Sequence, residues 1–535
     1  MPPNMVSPGF AYPASRVSAS TLDWPVTGTE VNDDWWRENT SIANRSWHLW
    51  RNNPYAVAMV NTLCEYGLGA DGLTPRSVYA TDADRMRVGK VDISATDALQ
   101  DTRVTRMKID QALSRAFTGK NFDASGQLSK KDMSTTMMVT TAVTGDSFAI
   151  RCWKPKRPGN PSTATCWRII DPSRVSNENW GYNTPEQFEG IALDADGRPK
   201  GLWVQRKSPY AVQNVDYTWD YIPWYAPDGQ LNVIHMKAPG RPEAIRGVGW
   251  MAPIMDLINQ LGNVTSAYVA AKRVQACIGM IVQTGDANAS NTVDSAKART
   301  TNASRMYPGM IRYELADSKI TTLNWDFNGS DHSDFQDSMI QPVAAAWGYP
   351  MEVVQHRLSK SNLAASRAAL MAAYRTGCSH QRMAIDGMET PWCESVLIEE
   401  IATRRIPVEN IQDAMLLRFN RPPQAFPDPV REATADGIRL TQGMSHSTIF
   451  ERNGLDFEQE ILQKHQDENF AAANGVILYQ EGVPGGVPLA ENTAAGEATA
   501  DDPDADNGPD GSGNDTGTDA DGAPASVDGQ KVGAA

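Results

Sequence analysis

The chain has 535 residues, is 41% hydrophobic and 21% charged, and carries a formal net charge of −15. That length exceeds what one hydrophobic core organises and implies three or more structural units. No window of 18 or more uncharged apolar residues is present, which excludes a transmembrane helix, and the N-terminus lacks the basic-then-apolar pattern of a signal peptide, so synthesis in the cytosol is expected.

The charge is not uniform. From Glu481 onward twelve acids face only Lys531, a balance of −11, which leaves −4 for residues 1–480. The folded part is therefore mildly acidic, and a tight, phosphate-gripping DNA binder would be basic. Any contact with DNA is expected to be weak or confined to local patches. The six cysteines, Cys64, Cys152, Cys166, Cys277, Cys378 and Cys393, never form CxxC, and free thiols are expected rather than a disulfide frame or a zinc site.

In chain order, residues 1–30 are rich in Pro and Ser and read as an extended arm. Ser41–Gly67 reads as helical on Trp47, Trp50, Val57, Val60 and Leu63, with Pro54 placed to break it in two. Asp97–Thr118 is a second helical stretch. Lys131–Thr144 is apolar and runs into Asp146–Trp153, where Phe148, Ile150 and Cys152 alternate with Ala149 and Arg151 as in a strand. Trp167–Ile170, Gly190–Leu193 and Gly201–Gln205 read as short strands between DPSR and DADGRPK turns. Residues 31–251 are thus expected to be α+β with an antiparallel sheet.

A long helix follows over 252–275. Pro253 is tolerable in its first turn, where a missing N–H costs nothing. Ile254, Leu257, Leu261, Val264 and Tyr268, spaced 3, 4, 3 and 4, form a narrow seam, while Asp256, Asn259, Gln260 and Asn263 keep the other faces polar. Such a helix serves as a strut or an interface, or packs in an ordinary core. Ile281–Ser304 is polar and carries no structural period. Gly309–Leu315 alternates as a strand, and Asp331–Trp347 reads as a second helix that Pro342 should kink. After Gly348-Tyr349-Pro350, a loop bearing His356, Arg357 and Lys360 leads into an Ala-rich helix from Leu363, interrupted at Pro391 and continuing to about Arg404. Pro422, Pro423, Pro427 and Pro429 mark a rigid crossing, and Pro429–Leu440 and Phe457–Ala473 are the last helices. Residues 481–535 lack large apolar side chains and are expected to be disordered.

The signatures of catalysis are missing. Gly67-Leu-Gly69-Ala-Asp-Gly72 spells GxGxxG, but a helix precedes it and no helix follows, so a helix-to-strand turn is expected instead of a dinucleotide site. There is no GxxxxGK[ST], HExxH or GxSxG. The seven histidines show no metal-ligand spacing. Asp331, His332 and Asp334 invite a metal or nuclease reading, but a solvated helix start, with the acids favoured by the helix dipole, explains them better. His356, Arg357 and Lys360 form a small basic cluster, either solvated or in contact with a polyanion. No cofactor and no metal are expected.

The ordered blocks of the chain resemble the lambda-like family of tailed-phage portal proteins. Arg51-Asn52-Asn53 with Gly67 and Gly69 looks like the opening block; Phe117, Asp123 and Gly126, then Gly145-Asp146 and Phe148, resemble the next, with Asp146 where the family usually has Glu. Ile169-Ile170-Asp171-Pro172 with Arg174, and Gly190-Ile191 with Gly197-Arg198, resemble its strand blocks. Ile234-His235 and Arg246-Gly247-Val248 resemble its most legible motif. Pro308-Gly309, Trp347-Gly348 with Pro350, Asn362 with Ser366-Arg367, Asp428-Pro429 with Arg431-Glu432, and Asn453-Gly454 with Asp456 continue in order. The approach to Asp428-Pro429 is altered, which blurs boundaries near 405–428.

The resemblance implies an α+β multidomain portal fold: a flexible arm (1–30), an α+β wing (31–251), a first stem helix (252–275), a small β-containing clip (276–329), a second stem helix (330–350), a channel loop (351–362), a long kinked wing helix (363–404), a helical C-terminal crown (405–480) and a disordered acidic tail (481–535). It further implies a homo-oligomeric ring, typically a dodecamer, at a unique capsid vertex of the virion. Its partners would be double-stranded DNA passing through the channel, the terminase large subunit, head–tail connector proteins, and the major capsid protein with its scaffold, with no membrane. The resemblance makes His356, Arg357 and Lys360 candidate channel-loop DNA contacts, and Arg246, Gly247, Ser366 and Arg367 family-motif positions. Two other classes predict different features: a nucleic-acid enzyme needs a phosphate loop or carboxylate metal cluster, and another virion structural protein lacks the helix, small β insert, helix order.

Overall fold

The computed structural model describes residues 29–79, 96–159, 161–210, 216–284, 310–315, 329–357, 362–408, 410–424 and 429–474. The chain divides into two compact units, Met1–Glu458 and Gln459–Ala535. Of the second, only 459–474 is described, as the greater part of the last helix. The arm up to residue 28, the tail from 481 and most of the clip lie outside the described residues.

The chain opens with α1 (Val31–Asn52) and α2 (Pro54–Leu68). They part at Asn53 and Pro54, as the sequence suggests. Asn53 is extended, its Oδ1 accepts from the N–H groups of Tyr55 and Ala56, and Pro54 fills a first-turn position where its missing N–H has no helical partner. Gly69, at φ 74°, ends α2, and Gly72, at φ 77°, turns the chain into β1 (Thr74–Ser77). The GxGxxG string is thus a helix-to-strand turn. Two further helices, α3 (Thr96–Phe117) and α4 (Lys130–Thr144), follow. The second begins at a reciprocal cap, with Ser129 Oγ accepting from Asp132 N–H and the Asp132 carboxylate accepting from Ser129 N–H.

The expected single antiparallel sheet is two. One has the order β3–β2–β8, from Asp146–Trp153 (β2), Thr165–Ile170 (β3) and Val233–Lys237 (β8). The other runs β4–β5–β6–β7, from Gln187–Phe188, Ile191–Leu193, Pro199–Gln205 and Trp219–Pro223. Every pairing in both is antiparallel. The three-stranded sheet is a middle layer. Ala149, Trp167, Ile234 and Met236 face a large helical core with Met59, Leu63, Ile109, Leu113, Met137 and Trp392. Phe148, Ile150, Ile170 and Val233 face the second sheet, against Ile191, Leu193, Leu202 and Val204. The alternation read in β2 is correct for its sides, but both sides are buried from Asp146 to Ile150.

A 3-10 turn (Ala252–Ile254) leads into α5 (Met255–Cys277). It is followed by β9 (Ile278–Thr284), β10 (Met310–Leu315) and α6 (Gly329–Trp347), which contains Pro342. The helix, small β unit, helix order is present. One expectation fails at its start: Ile281–Thr284 is not patternless but part of β9, because the short apolar run Ile278–Val282 pairs in parallel with β10. The loop expected at 351–362 opens instead with one helical turn, α7 (Met351–Val354), since Val353 and Val354 find burial against the core.

The Ala-rich helix α8 (Leu363–Ala384) is interrupted just before Pro391, as expected, but by a change of winding rather than an end. It passes through a π turn (Ile385–Glu389) into α9 (Thr390–Ala402). The wider turn accommodates the proline, whose ring and missing N–H disrupt an ordinary helix four residues back. The C-terminal part is less purely helical than expected. After the short α10 (Ile411–Ala414), β11 (Leu417–Asn420) pairs antiparallel with β1, and only then come α11 (Pro429–Thr441), α12 (His446–Arg452) and α13 (Phe457–Ala473). The isolated run Leu-Arg-Phe-Asn is too short to read as a strand without its partner 340 residues away.

Candidate functional site

Several of the resemblance blocks meet in space at one buried ion pair, Asp146 with Arg246. The C-terminus of α4 is closed by Gly145 at φ 100°, where the next residue, Asp146, starts β2. Across this corner runs the Arg246-Gly247-Val248-Gly249 loop. A Cβ on Gly145 would strike the Gly247 backbone, and one on Gly247 would strike the Gly145 carbonyl, so glycine is required on both sides by close approach. Ala238 N–H donates to Gly145 O at 2.8 Å, and Trp250 N–H donates to Ala142 O at 3.0 Å, which fixes the crossing.

Asp146 has no exposed surface and Arg246 only 4%. Arg246 Nε donates to Asp146 Oδ2, and Nη2 reaches Oδ1 at 3.2 Å, a fork-to-carboxylate geometry. Its Nη1 donates to the backbone carbonyls of Glu189 at 3.0 Å and Val175 at 3.4 Å. The guanidinium lies between the rings of Trp35 and Phe148, 4.8 and 5.0 Å from their centroids. Trp35 in turn donates its indole N–H to Gly247 O at 2.7 Å. One side chain therefore joins α1, β2, the β4–β5 corner and the loop before α5. Burial by itself would raise the Asp146 carboxyl, but the Arg246 charge and its hydrogen bonds, with the nearby His235 ring, outweigh it and hold the group at about 2. His235, stacked on Phe148 at 4.3 Å, has its Nε2 3.5 Å from Asp146 Oδ2. Its pKa is lowered, chiefly by burial, so the imidazole is neutral at pH 7. The arrangement fixes a corner and exposes no reactive group.

The long-helix seam divides along its length. Ile254 and Leu261 are buried, whereas Leu257, Val264 and Tyr268 are half-buried. Ile258, absent from the expected seam, is fully buried. The drift arises because a straight helix turns every 3.6 residues, so a 3-4 stripe does not stay on one side. From Gly262 to Arg273 no described side chain is buried, and Val269 is exposed. The partner α6 shows the same division: Ile340, Val343, Ala344 and Trp347 are buried, but Phe335 is exposed. Gln336 Nε2 donates to Thr265 Oγ1 at 3.1 Å between the two helices.

Of the basic cluster, His356 sits at φ 51° where the turn after α7 ends, and is exposed. Arg357 faces the Asp337 carboxylate of α6 at 3.5 Å. Lys360 lies outside the described residues. Ser366 and Arg367 stand in the first turns of α8. Arg367 lies 3.8 Å from Glu432, which Arg439 and Arg452 also contact at 2.7 and 2.9 Å. The sequence reading missed three buried carboxylates that tie α9 and its π turn to the rest. Glu389 pairs with Lys130 and accepts from Ser134 Oγ at 2.7 Å. Glu399 accepts from the N–H groups of Ala164 and Thr165 at 2.7 and 2.8 Å, and Glu400 pairs with Arg405 at 2.8 Å. The only signal was acids on the apolar side of a helix, which is ambiguous without partners. Among the described residues no group of three or more His, Cys, Asp or Glu is placed to hold a metal, and no helix is long and apolar enough to cross a membrane.

No curated protein matches the chain. Solved structures similar to it include the virion of a native gene transfer agent particle, at 13% identity over 78% of this chain and 94% of that one, with a TM-score of 0.41. The neck of an empty gene transfer agent particle, computed with C6 symmetry, has 14% identity over 81% and 95% and the same score. The neck of the native particle, computed with C12 symmetry, has 12% identity over 78% and 94%, at 0.40. The family model described as "Phage portal protein, lambda family" matches residues 18–381, which is more than half of the sequence and contains both glycine blocks, Arg246 and the two long helices. The chain belongs to the lambda family of phage portal proteins.

Proposed function

We propose that the protein forms a ring at one vertex of a phage capsid, a channel for double-stranded DNA during packaging and ejection and a docking platform for the terminase and head–tail connector proteins. The observation that carries this beyond family membership is the half-empty pair of long helices. The halves of α5 and α6 near Ile254 and Trp347 are sunk in the helical core, and the halves beyond Leu261 and before Ile340 leave Val269 and Phe335 exposed. Apolar surface on a strut supports contact with further copies of the chain, and head-to-tail contacts that close by rotation make a ring. Twelve copies are the expected number.

The work of such a ring is mechanical. DNA has to slide in both directions, and a wall dense in Lys and Arg would hold it by the salt-linked affinity of each phosphate contact. A near-neutral to acidic lining keeps the duplex centred, with His356, Arg357 and Lys360 as transient contacts. Energy for translocation belongs to the docked motor, consistent with a chain that lacks a P-loop. The stem pair would surround the channel and the β9–β10 unit would belong to the docking clip.

Negative-stain electron microscopy with mass photometry of the full chain tests this. The expected result is rings with a hole of about 20 Å or more, wide enough for a duplex whose major groove alone is ~12 Å across. A stable monomer that stays monomeric with scaffold and capsid protein present rules the ring out. At the loop, Arg357→Glu with Lys360→Glu is expected to reduce the length of DNA packaged or retained; unchanged packaging removes these residues from the channel.

A further inference from the structure

One face of α1 carries cations and no acids. Asn39, Ser46 and Leu49 lie on its buried side. On the other side Arg37, Ser41, Asn44, Arg45, His48 and Arg51 are all exposed. At 3.6 residues per turn these six fall within about a third of the helix circumference, and Arg37 to Arg51 spans about 21 Å. The acids of the helix, Asp33, Asp34 and Glu38, are confined to its first two turns, and from Asn39 to Cys64 the chain has no Asp or Glu. Among the described residues the ion pair made by α1 joins Asp34 to Arg241, off the stripe.

An ordinary solvated face mixes signs. On α11 Arg439 reaches Glu432 and Asp436, and on α13 Lys464 faces Glu468. The helix dipole favours a cation in the last turn, which accounts for Arg51 but not for Arg37 or Arg45. The complement of the stripe is a polyanion whose charge repeats over its whole length. Duplex DNA, with one charge per ~1.7 Å of axis, presents about twelve over 21 Å. Arg, Asn and Ser side chains are among the groups that hold phosphate oxygens whatever the base sequence. An acidic protein partner would need apolar anchors at the centre of its contact. Between the arginines stand Ser41, Asn44 and His48, and no large aliphatic side chain.

We propose that this face of α1 binds the phosphate backbone of duplex DNA without regard to sequence. The choice of DNA among polyanions rests on the channel reading; the surface itself does not require a ring. On a sliding path such contacts would act as a brake. The stripe therefore serves duplex that is held against the protein, not the duplex being threaded.

The full chain is titrated against a labelled random-sequence duplex of about 30 base pairs, between about 50 and 200 mM salt, with fluorescence anisotropy as the readout. Three phosphate contacts contribute about −2.7 to the slope of log K against log salt, about fortyfold across that range. The wild-type slope is expected to be steeper by at least that amount than the slope of the triple variant Arg37→Glu, Arg45→Glu, Arg51→Glu. The corresponding triple Lys variant should keep the wild-type slope, since an ammonium meets phosphate as a point charge. Equal slopes for wild type and the Glu variant, no binding by wild type, or polyglutamate competing as well as duplex overturns the proposal. Mass photometry of the same samples separates this from the ring. A Glu variant that assembles as wild type but has lost DNA supports the proposal, whereas one that no longer assembles makes the stripe a subunit contact and overturns it. If wild type forms no ring, the channel reading fails while the slopes still decide the surface. In packaging, the Glu variant is expected to translocate DNA at the wild-type rate; a changed rate puts the stripe on the sliding path and overturns its assignment to held duplex.

Discussion

Asp146 and Arg246 show how much one buried pair depends on both members. Removing one charge leaves the other desolvated, at a cost of about 3–5 kcal/mol. Asp146→Asn should therefore lower stability by that order in denaturant unfolding, and a loss below about 1 kcal/mol would mean that the corner does not rely on the pair. The carboxyl is held near 2 in the folded state, below its ordinary value, so its contribution is complete above pH 4 and falls away as pH drops towards 2. His380 belongs to a different window. Burial between Trp250 and Tyr349 lowers it to about 4, with Tyr349 Oη and His380 Nδ1 sharing a hydrogen bond of 2.9 Å. The unfolded imidazole takes up its proton first, so stability should decline as pH falls from about 6.5 to 4. Asp110 opposes this trend, because burial raises it to about 6 and its contribution is lost as pH rises through that value. Unfolding of His380→Gln between pH 4 and 7 should show a flatter or reversed slope; an unchanged slope would remove His380 as its source.

At the scale of elements, the π turn is where the helical core is locked. Glu389 sits within it, wholly buried, against Lys130 at the start of α4. The Lys130 ammonium also donates to Leu73 O at 2.8 Å and lies 5.3 Å from the Phe117 ring centre. Four segments thus converge on one cation. Glu389→Gln should cost about 3–5 kcal/mol by stranding that charge, while Glu389→Met with Lys130→Met should recover most of it, since an apolar pair of similar volume avoids both desolvation terms. Equal losses in the single and double variants would show that shape, not charge, matters there. The turn also gives the interruption expected at Pro391 its form. A proline marks an interrupted hydrogen bond, but whether the helix bends, ends or widens is decided by what packs around it; here Trp392, Cys393, Val396 and Leu397 are all buried just beyond the π turn.

For the whole molecule, charge distribution sets the expectations. Removing Glu481–Ala535 takes away −11 and leaves a chain near neutrality. Folding is expected to be unaffected, since these residues carry almost no large apolar side chains, while solubility should fall. Thermal unfolding and light scattering of the truncated chain check both. If the proposed ring holds, assembly should survive truncation while DNA content reports whether the acidic segments act at the inner rim. A drop in melting temperature would show instead that the tail contributes to the fold.

The local elements were written into the sequence. Asn53-Pro54 parts α1 from α2, Gly69 and Gly72 turn a helix into a strand, and the long helix at Met255–Cys277 follows from its spacing, because caps, turns and periodicity are settled within a few residues. The order of glycine, Asp-Pro and Arg-Gly blocks was also enough to identify the family. Tertiary structure alone decided what those blocks do to one another. Gly145 and Gly247 are far apart in sequence and need each other's missing side chains. Asp146 and Arg246 are legible as charged residues, but as a buried pair only once β2 is enclosed on both faces. Strand β11 exists because β1 is beside it, and the exposed half of the long-helix pair is unusual only once the other half is seen to be sunk in the core. In each case the deciding energy is desolvation or long-range pairing, which depends on neighbours that linear sequence does not place.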